Sequence, residues 1–324
     1  MLTTKSIAKA DLGALGELLR SYRYKPLYYY RASSEEARWR YFEWTLERLL
    51  AQPEHVALAT CSGAAPTGFV AGEVREWDSA IIGRKAAMLG PVVLGEGSSP
   101  EQREGLLRLG LDGLRQLGVE HVTTRCEADD LEHLHLLESH GFITVDSIVH
   151  LAWDLRAAAA PVLDLPAGVE IREHRADDVG KLKAIARAAL RADRFHNDPV
   201  VDQERAHDVY ATWVENACLG LDDAVAVGVL EGEPIGFMTA KILPQTGELL
   251  GTKVGKLWIG SLSPKARGKG LYGNLASYLI GWLAARGVEI VEGGTQTRNI
   301  PALRSLCRRG FLPVNSMTTL RVLL

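Results

Sequence analysis

Cysteine is scarce in this sequence, and its four residues stand far apart. Cys61, Cys126, Cys218 and Cys307 form no CxxC pair. This spacing argues against a zinc site or a disulfide framework and is typical of proteins in a reducing compartment. The sequence also lacks an apolar run that could span a membrane, and its first residues lack the apolar core of a signal peptide. We therefore expect a cytoplasmic protein with no bound metal and no membrane partner.

An excess of charge of one sign is absent as well. The 37 Lys and Arg residues nearly balance the 40 Asp and Glu residues, which leaves a formal net charge of −3. Such a balance gives no reason to expect a nucleic-acid partner. The length of 324 residues and the hydrophobic fraction of 47% suit two domains of about 160 residues, each with its own core.

The most informative stretch lies between residues 256 and 311. It begins with a strand-like run, Leu257–Leu262, followed by a glycine-rich basic segment, Lys265–Gly273. Apolar residues at helical spacing come next, and Val288–Val291 has the composition of a short strand. A glycine-rich loop between a strand and a helix can bind phosphate through its backbone N–H groups and the helix dipole. The loop has neither the P-loop spacing nor the GxGxxG of a dinucleotide-binding turn.

The loop resembles the acetyl-CoA motif of the GNAT N-acetyltransferases, Arg/Gln-x-x-Gly-x-Gly/Ala. Arg267 and Gly270 match this motif, and Tyr272 stands where its last small residue usually is. Further along, Asn299–Ala302 and Gly310-Phe311 are similar to the family's Asn-x-x-Ala and Gly-Phe segments. The resemblance implies an α/β (α+β) fold with a mixed, twisted sheet flanked by helices. It also implies that acetyl-CoA is the co-substrate and that a small-molecule amine is the acceptor.

The same resemblance implies which residues bind acetyl-CoA. Backbone N–H groups of the loop would hold the pyrophosphate, Arg267 and Lys269 would add positive charge, and the strand before the loop would accept the pantetheine. The predicted acetyl-CoA-binding residues are Leu262, Arg267, Gly268, Lys269, Gly270, Leu271, Tyr272, Gly273 and Asn299.

The residue that acts as general acid in many members of this family is missing. These members have a Tyr four residues after the Ala of Asn-x-x-Ala, and the residue at that position here is Leu306. Cys307 carries a suitable proton, although a lone Cys on a short helix is more often a buried apolar residue. Tyr272 is a second candidate, but its place in the loop favours packing against acetyl-CoA. Glu215 and His196 are the candidate groups for taking the proton of the amine.

The second half of the sequence repeats the first. Gly118-Val119-Glu120 and Gly141-Phe142 each recur 169 positions later (287 − 118 and 310 − 141). We therefore predict two tandem GNAT-like domains, residues 1–160 and 161–324. At the loop position the first copy has Ser98-Ser99-Pro100-Glu101, where Pro lacks an N–H and Glu repels phosphate. The first domain is therefore predicted to be degenerate, and the second to bind acetyl-CoA.

The acceptor is predicted from a second resemblance. Arg194-Phe195 and Tyr210–Ala217 are similar to a region of dTDP-fucosamine N-acetyltransferases, and Trp77–Gly83 is similar to an N-terminal segment of that group. This implies that Arg194 and Phe195 contact a nucleotide-linked aminosugar; a solvated loop anchored by Phe195 is the alternative. The residues also allow another amine, such as an antibiotic or a polyamine, or a non-catalytic acyl-CoA-binding module. Tyrosines 22, 24, 28, 29 and 30 favour an interface between domains or in a homodimer.

Overall fold

The computed structural model describes residues 2–30, 33–157, 161–189, 191 and 193–324. These residues form two compact units. Unit 1 comprises the chain up to Val145 together with Met317–Leu324, and unit 2 comprises Asp146–Ser316. The predicted domain boundary near residue 160 falls at residues 158–160, which lie outside the described residues.

The secondary structure repeats along the chain. The elements of the first copy are β1 (Leu2–Ser6), α1 (Gly16–Ser21), α2 (Glu35–Leu50), β2 (His55–Ser62), β3 (Ala65–Val74), α3 (Glu76–Ile82), β4 (Ala86–Leu94), α4 (Pro100–Gln116), β5 (His121–Glu127), α5 (Leu131–Ser139) and β6 (Ile143–Asp154). Those of the second copy are β7 (Val169–Glu173), α6 (Val179–Ala189), α7 (Arg194–Asn197), α8 (Gln203–Asn216), β8 (Ala224–Leu230), β9 (Glu233–Ile242), α9 (Pro244–Leu250), β10 (Val254–Leu262), α10 (Leu271–Ala284), β11 (Ile290–Gln296), α11 (Ile300–Cys307) and β12 (Leu312–Leu323).

Equivalent strands keep the offset that the sequence repeat predicts. The strands β4 and β10 start 168 residues apart (254 − 86), and β5 and β11 start 169 apart (290 − 121). Two short helices, α3 and α9, interrupt the connection before β4 and before β10, and the sequence analysis did not identify them. The Trp77–Gly83 segment forms most of α3, which Gly83 terminates in a left-handed conformation.

The sheet of unit 1 has the strand order β1-β2-β3-β4-β5-β12. Neighbouring strands are antiparallel except for β4 and β5, which are parallel. The last strand is supplied by the C-terminal end of the chain, because Met317–Leu323 pairs with β5. Leu320 of this strand is fully buried in the same core cluster as Phe142.

The sheet of unit 2 has the strand order β7-β8-β9-β10-β11-β6. Only β10 and β11 are parallel, and β6 completes the sheet by pairing Ile148–Asp154 antiparallel to β11. Each unit is thus a mixed sheet with helices packed on it, as predicted. Each unit also takes its last strand from the other sequence copy, which the sequence analysis did not foresee.

The core of unit 2 centres on α10. Its helix residues Leu275, Leu279 and Leu283 are fully buried and pack with strand residues and with Phe311. The ring of Phe311 lies edge-on to that of Trp153, with centroids 5.8 Å apart. Among the described residues, no helix combines the length and the apolar character needed to cross a bilayer.

Candidate functional site

A cleft opens in unit 2 where β10 and β11 part. Their parallel pairing runs only from Val254–Ile290 to Lys256–Glu292, although both strands continue beyond it. The pairing of β10 with β9 is also irregular here, because the register shifts between Leu257 and Gly260. A bulge of this kind turns a strand away from its neighbour and leaves backbone groups unpaired. The cleft that results is lined by residues of β9, β10, β11, α10 and α11.

The glycine-rich loop leads from this cleft into α10. Gly268 and Gly270 both have φ of +75°, a conformation that glycine adopts without strain. Gly270 is the N-cap residue of α10 and provides no side chain to the helix end. The N–H groups of residues 268–273 have no hydrogen-bond acceptor in the described parts of the chain. Arg267 and Lys269 are exposed, so the loop combines unpaired N–H donors with positive charge, which is the chemistry of an anion site.

Asn274 fixes the conformation of this loop from within α10. The side chain is 1% exposed, and its Nδ2 donates to the carbonyl oxygens of Gly270 (3.2 Å) and Asp164 (2.7 Å). Its Oδ1 accepts from the N–H of Asp164 at 2.8 Å. The segment that precedes β7 is therefore held against the start of α10, and the sequence analysis did not single out Asn274. A polar residue within an otherwise apolar helical stretch was the available signal.

The equivalent helix end in unit 1 is closed by its own side chains. Ser99 is the N-cap residue of α4: its Oγ accepts from the N–H of Gln102, and its N–H donates to Gln102 Oε1 at 2.8 Å. Pro100 has no N–H, and Glu101 accepts from Ser99 Oγ at 2.6 Å. The N–H groups of Ser99 and Gln102 are thus occupied, Pro100 has none, and a phosphate would face a carboxylate. This geometry supports the prediction that the first copy is degenerate.

Asn299 acts as a helix cap in unit 2. Its Oδ1 accepts from the N–H of Ala302 at 3.5 Å, and its Nδ2 donates to Thr295 Oγ1 at 2.9 Å. Asp130 caps α5 of unit 1 in the same way. The contacts of Asn299 thus position the end of β11 and the start of α11, and its assignment to acetyl-CoA stays a prediction.

Leu306 and Cys307 have opposite environments on α11. Leu306 is 2% exposed and lines the cleft, so an apolar side chain lies where a proton donor was sought. Cys307 is exposed rather than buried and is not among the described residues that line the cleft. Leu306 has no proton to donate, and the role of Cys307 as general acid stays a prediction.

His196 belongs to a buried polar cluster beside the end of β11. Its Nδ1 lies 2.6 Å from Oδ2 of Asp193, and both side chains are nearly buried. Because a carboxylate accepts, Nδ1 carries the hydrogen and Nε2 of the neutral ring carries a lone pair. Nε2 is buried and has no partner in the described part of the chain. The ring of Tyr210 stacks on His196 at an interplanar angle of 18°.

Several contacts hold this cluster in place. Asp193 Oδ1 also accepts from the N–H groups of Phe195 and His196 and so begins α7. Arg298, between β11 and α11, donates to Asn197 Oδ1 at 2.8 Å. Burial, together with the charges of Asp193 and Asp146, raises the pKa of Tyr210 well above its usual value. His196 was predicted from the sequence, whereas Asp193, three residues earlier, was not.

Two further predicted residues have contacts that limit their roles. Glu215 forms an ion pair with Lys183, at 2.7 Å between Oε2 and Nζ, so its carboxylate is already paired. Phe195 is 4% exposed, and the guanidinium of Arg194 lies 4.2 Å from the centre of its ring. This burial favours the alternative that Phe195 anchors α7, and its contact with the acceptor stays a prediction.

Comparison with known proteins adds sequence and fold relatives. Residues 183–311 match the model of the acetyltransferase (GNAT) family. A mycothiol acetyltransferase of Nocardioides sp. is 29% identical over 184 residues, which is 54% of this chain. The chain spans only 60% of the length of that curated relative.

Two solved structures share the fold over nearly the whole chain. A GCN5-related N-acetyltransferase from Sphaerobacter thermophilus has a TM-score of 0.68 at 16% identity and covers 99% of this chain and 95% of its own. A tandem GNAT protein from the clavulanic acid biosynthesis pathway has a TM-score of 0.59 at 14% identity. The match covers 100% of this chain and 98% of that protein's chain. Residues 183–311 therefore carry the sequence pattern of the acetyltransferase (GNAT) family, and the whole chain shares the fold of the tandem GNAT protein.

Proposed function

We propose that this protein is an N-acetyltransferase that moves the acetyl group of acetyl-CoA to the primary amine of a small molecule. The observation that carries the proposal is the row of unpaired N–H groups of residues 268–273, at the end of a strand that parts from its neighbour. The pyrophosphate would bind to these N–H groups, and the pantetheine would lie along the unpaired part of β10. Of the predicted residues, Leu262, Arg267 and Lys269 flank this path.

His196 is the group that we propose takes the proton of the amine. Asp193 orients the ring and would stabilise the imidazolium that forms. The unpartnered, buried Nε2 supports this role, because a buried acceptor without a hydrogen bond is costly and calls for a polar ligand or water. We rank Glu215 and Cys307 below His196, because the carboxylate of Glu215 is ion-paired with Lys183 and the thiol of Cys307 is exposed rather than held by a partner among the described residues.

For the acceptor we keep a nucleotide-linked aminosugar as the first proposal, with Arg194 as a candidate phosphate contact. The relative named as a mycothiol acetyltransferase favours a second candidate, the acceptor amine of that class of enzyme. Other amines, such as polyamines and aminoglycosides, belong in the same screen. A non-catalytic acyl-CoA-binding module remains the alternative of a different class.

Calorimetry with acetyl-CoA tests the binding site. We expect one equivalent to bind per chain and the Gly270→Glu variant to bind none, because the new carboxylate lies at the anion site. Gly251→Glu is the matched control, since Gly251 has a similar φ of +68° and open space around it but lies outside the loop. Equal loss in both variants would indicate misfolding, and binding that persists in Gly270→Glu would place the site elsewhere.

Release of free CoA tests the activity. The wild-type protein is incubated with acetyl-CoA and each acceptor class in turn, and the free thiol is measured. We expect release with one class and none with the Gly270→Glu variant. Binding of acetyl-CoA without release for any acceptor would support the non-catalytic alternative.

A further inference from the structure

Among the described residues that line the cleft, one carries a side-chain hydroxyl. The lining residues are Met238, Leu257, Trp258, Ile259, Gly260, Tyr272, Gly293, Gly294 and Leu306. Tyr272 is the second residue of α10, and its half-buried ring packs against the core cluster of unit 2. The other side chains are apolar, apart from the indole N–H of Trp258, which does not exchange its proton as an acid. Tyr272 is therefore the one described side chain lining this cleft that could donate a proton as an acid.

Transfer of an acetyl group from a thioester to an amine requires such a proton. The amine nitrogen bonds to the carbonyl carbon, the carbon–sulfur bond breaks, and its electron pair stays on the sulfur. The amine loses one proton and the thiolate gains one, so no other reactant is consumed. A group that donates a hydrogen bond to the sulfur stabilises the charge that develops as the bond breaks.

We propose that the hydroxyl of Tyr272 is this donor and serves the leaving sulfur in place of a residue on α11. The inference rests on the proposed function, because it needs acetyl-CoA in the cleft between β10 and β11. Tyr272 lies at the start of α10, directly after the glycine-rich loop, and it lines the cleft together with Leu306. The phenolate left after proton transfer regains its proton from solvent.

The environment of Tyr272 suits a donor. Burial raises its pKa to about 12, so the hydroxyl stays protonated throughout the neutral range. It makes no side-chain hydrogen bond to another described residue, which leaves its proton available to a ligand. If the Tyr272 side chain served only packing, Tyr272→Phe would leave the reaction rate unchanged.

The test needs no knowledge of the acceptor, because free CoA is itself the probe. The thiol of bound CoA is titrated by following the ultraviolet absorbance of its thiolate. The same titration is made on the protein with desulfo-CoA bound, and its absorbance change is subtracted because it contains the contribution of the four protein cysteines. Both proteins are titrated at CoA concentrations that saturate them, so that any change of CoA affinity in Tyr272→Phe does not enter the comparison. We expect the acid dissociation constant of the bound thiol to fall about tenfold, since a hydrogen bond to a charged sulfur is lost. Tyr278→Phe, on the same helix but not lining the cleft, is the control and should match the wild type.

Each outcome has one meaning. Equal thiol titrations in wild type and Tyr272→Phe would overturn the inference while leaving the proposed function intact. Failure of CoA to bind the wild type would remove the proposed function and this inference with it. With an acceptor in hand, Tyr272→Phe should lower kcat by about 10²-fold, and adding Leu306→Tyr should restore part of it. A role in packing alone predicts no such rescue.

Discussion

Gly310 precedes the buried Phe311 and has a φ of +118°, a conformation that L residues rarely adopt. A Cβ at this position would lie 2.8 Å from two atoms of the Trp153 indole. The indole is itself buried, so it has no room to move away. Glycine is thus required at the first position of this Gly-Phe pair for two separate reasons. One is the backbone conformation of Gly310, and the other is the close approach of the Trp153 ring.

We predict that Gly310→Ala lowers the free energy of unfolding by about 2–4 kcal/mol, because backbone strain and a steric overlap add. Denaturant unfolding measures the change. Gly141→Ala is the matched control, since Gly141 has a φ of +81° but its nearest atom is 4.0 Å away. The unfolding free energy of Gly141→Ala should fall only by the cost of backbone strain. An equal fall in both variants would contradict the role of the Trp153 indole.

An ion pair spans the connection between β7 and α6. Arg172 of β7 donates to both carboxylate oxygens of Asp178, at 2.6 and 2.9 Å. The side chains are 18% and 5% exposed. The hydrogen bond from Arg172 lowers the pKa of Asp178 below its usual value. The strand and the helix that follows it are therefore joined by a nearly buried charged contact.

We predict that Asp178→Asn costs about 3 kcal/mol at neutral pH, because Arg172 loses its charged partner. The pKa of Asp178 is lower in the folded than in the unfolded state, so its stabilising contribution is complete above the unfolded pKa of about 4. This contribution is lost as the pH falls through the lower folded pKa. The difference in unfolding free energy between wild type and variant should therefore shrink below about pH 4.

The measurement is denaturant unfolding across a pH series. Asp154→Asn is the control, because Asp154 also has a lowered pKa from Arg156 but in a pair with side chains 43% and 46% exposed. Exposed pairs contribute less than about 1 kcal/mol. A difference for Asp178→Asn that stays constant with pH would rule out the ion pair as its cause.

At the scale of the whole molecule, the sequence copies and the compact units do not coincide. Unit 1 is completed by Met317–Leu324 and unit 2 by residues from Asp146 onward. Strand pairing uses backbone N–H and C=O groups, which nearly every residue has. The last strand of either copy could therefore form the hydrogen bonds along the edge of β5 or of β11. The pairing observed puts Leu320 in the core of unit 1 and Trp153 in the core of unit 2.

This arrangement predicts the effect of removing residues 317–324. The edge of β5 loses its partner and the core loses Leu320, so amide protons of β5 should exchange with solvent much faster. Acetyl-CoA binding by unit 2 should persist. Hydrogen exchange by mass spectrometry and calorimetry measure the two effects, with the full chain as the reference. Faster exchange in β11 instead of β5 would mean that each copy keeps its own last strand.

The sequence by itself determined the mixed α/β character of each copy, the duplication and the glycine-rich loop that we propose binds an anion. These features depend on local chemistry, because glycine conformations, helix ends and apolar periodicity are set within a few residues. It also located Gly310-Phe311, although not the indole that makes the glycine necessary.

Only the tertiary structure decided which strand completes each sheet, that Tyr272 lines the cleft and that His196 has a carboxylate partner. Tyr272 occupies the motif's last small position, and nothing near it in sequence indicates that its ring lines the gap between β10 and β11. The burial of Phe195 and the pairing of Glu215 with Lys183 likewise depend on elements distant along the chain. Contacts between distant segments depend on how the helices pack on the sheet, and that packing is a property of the whole unit rather than of any one stretch.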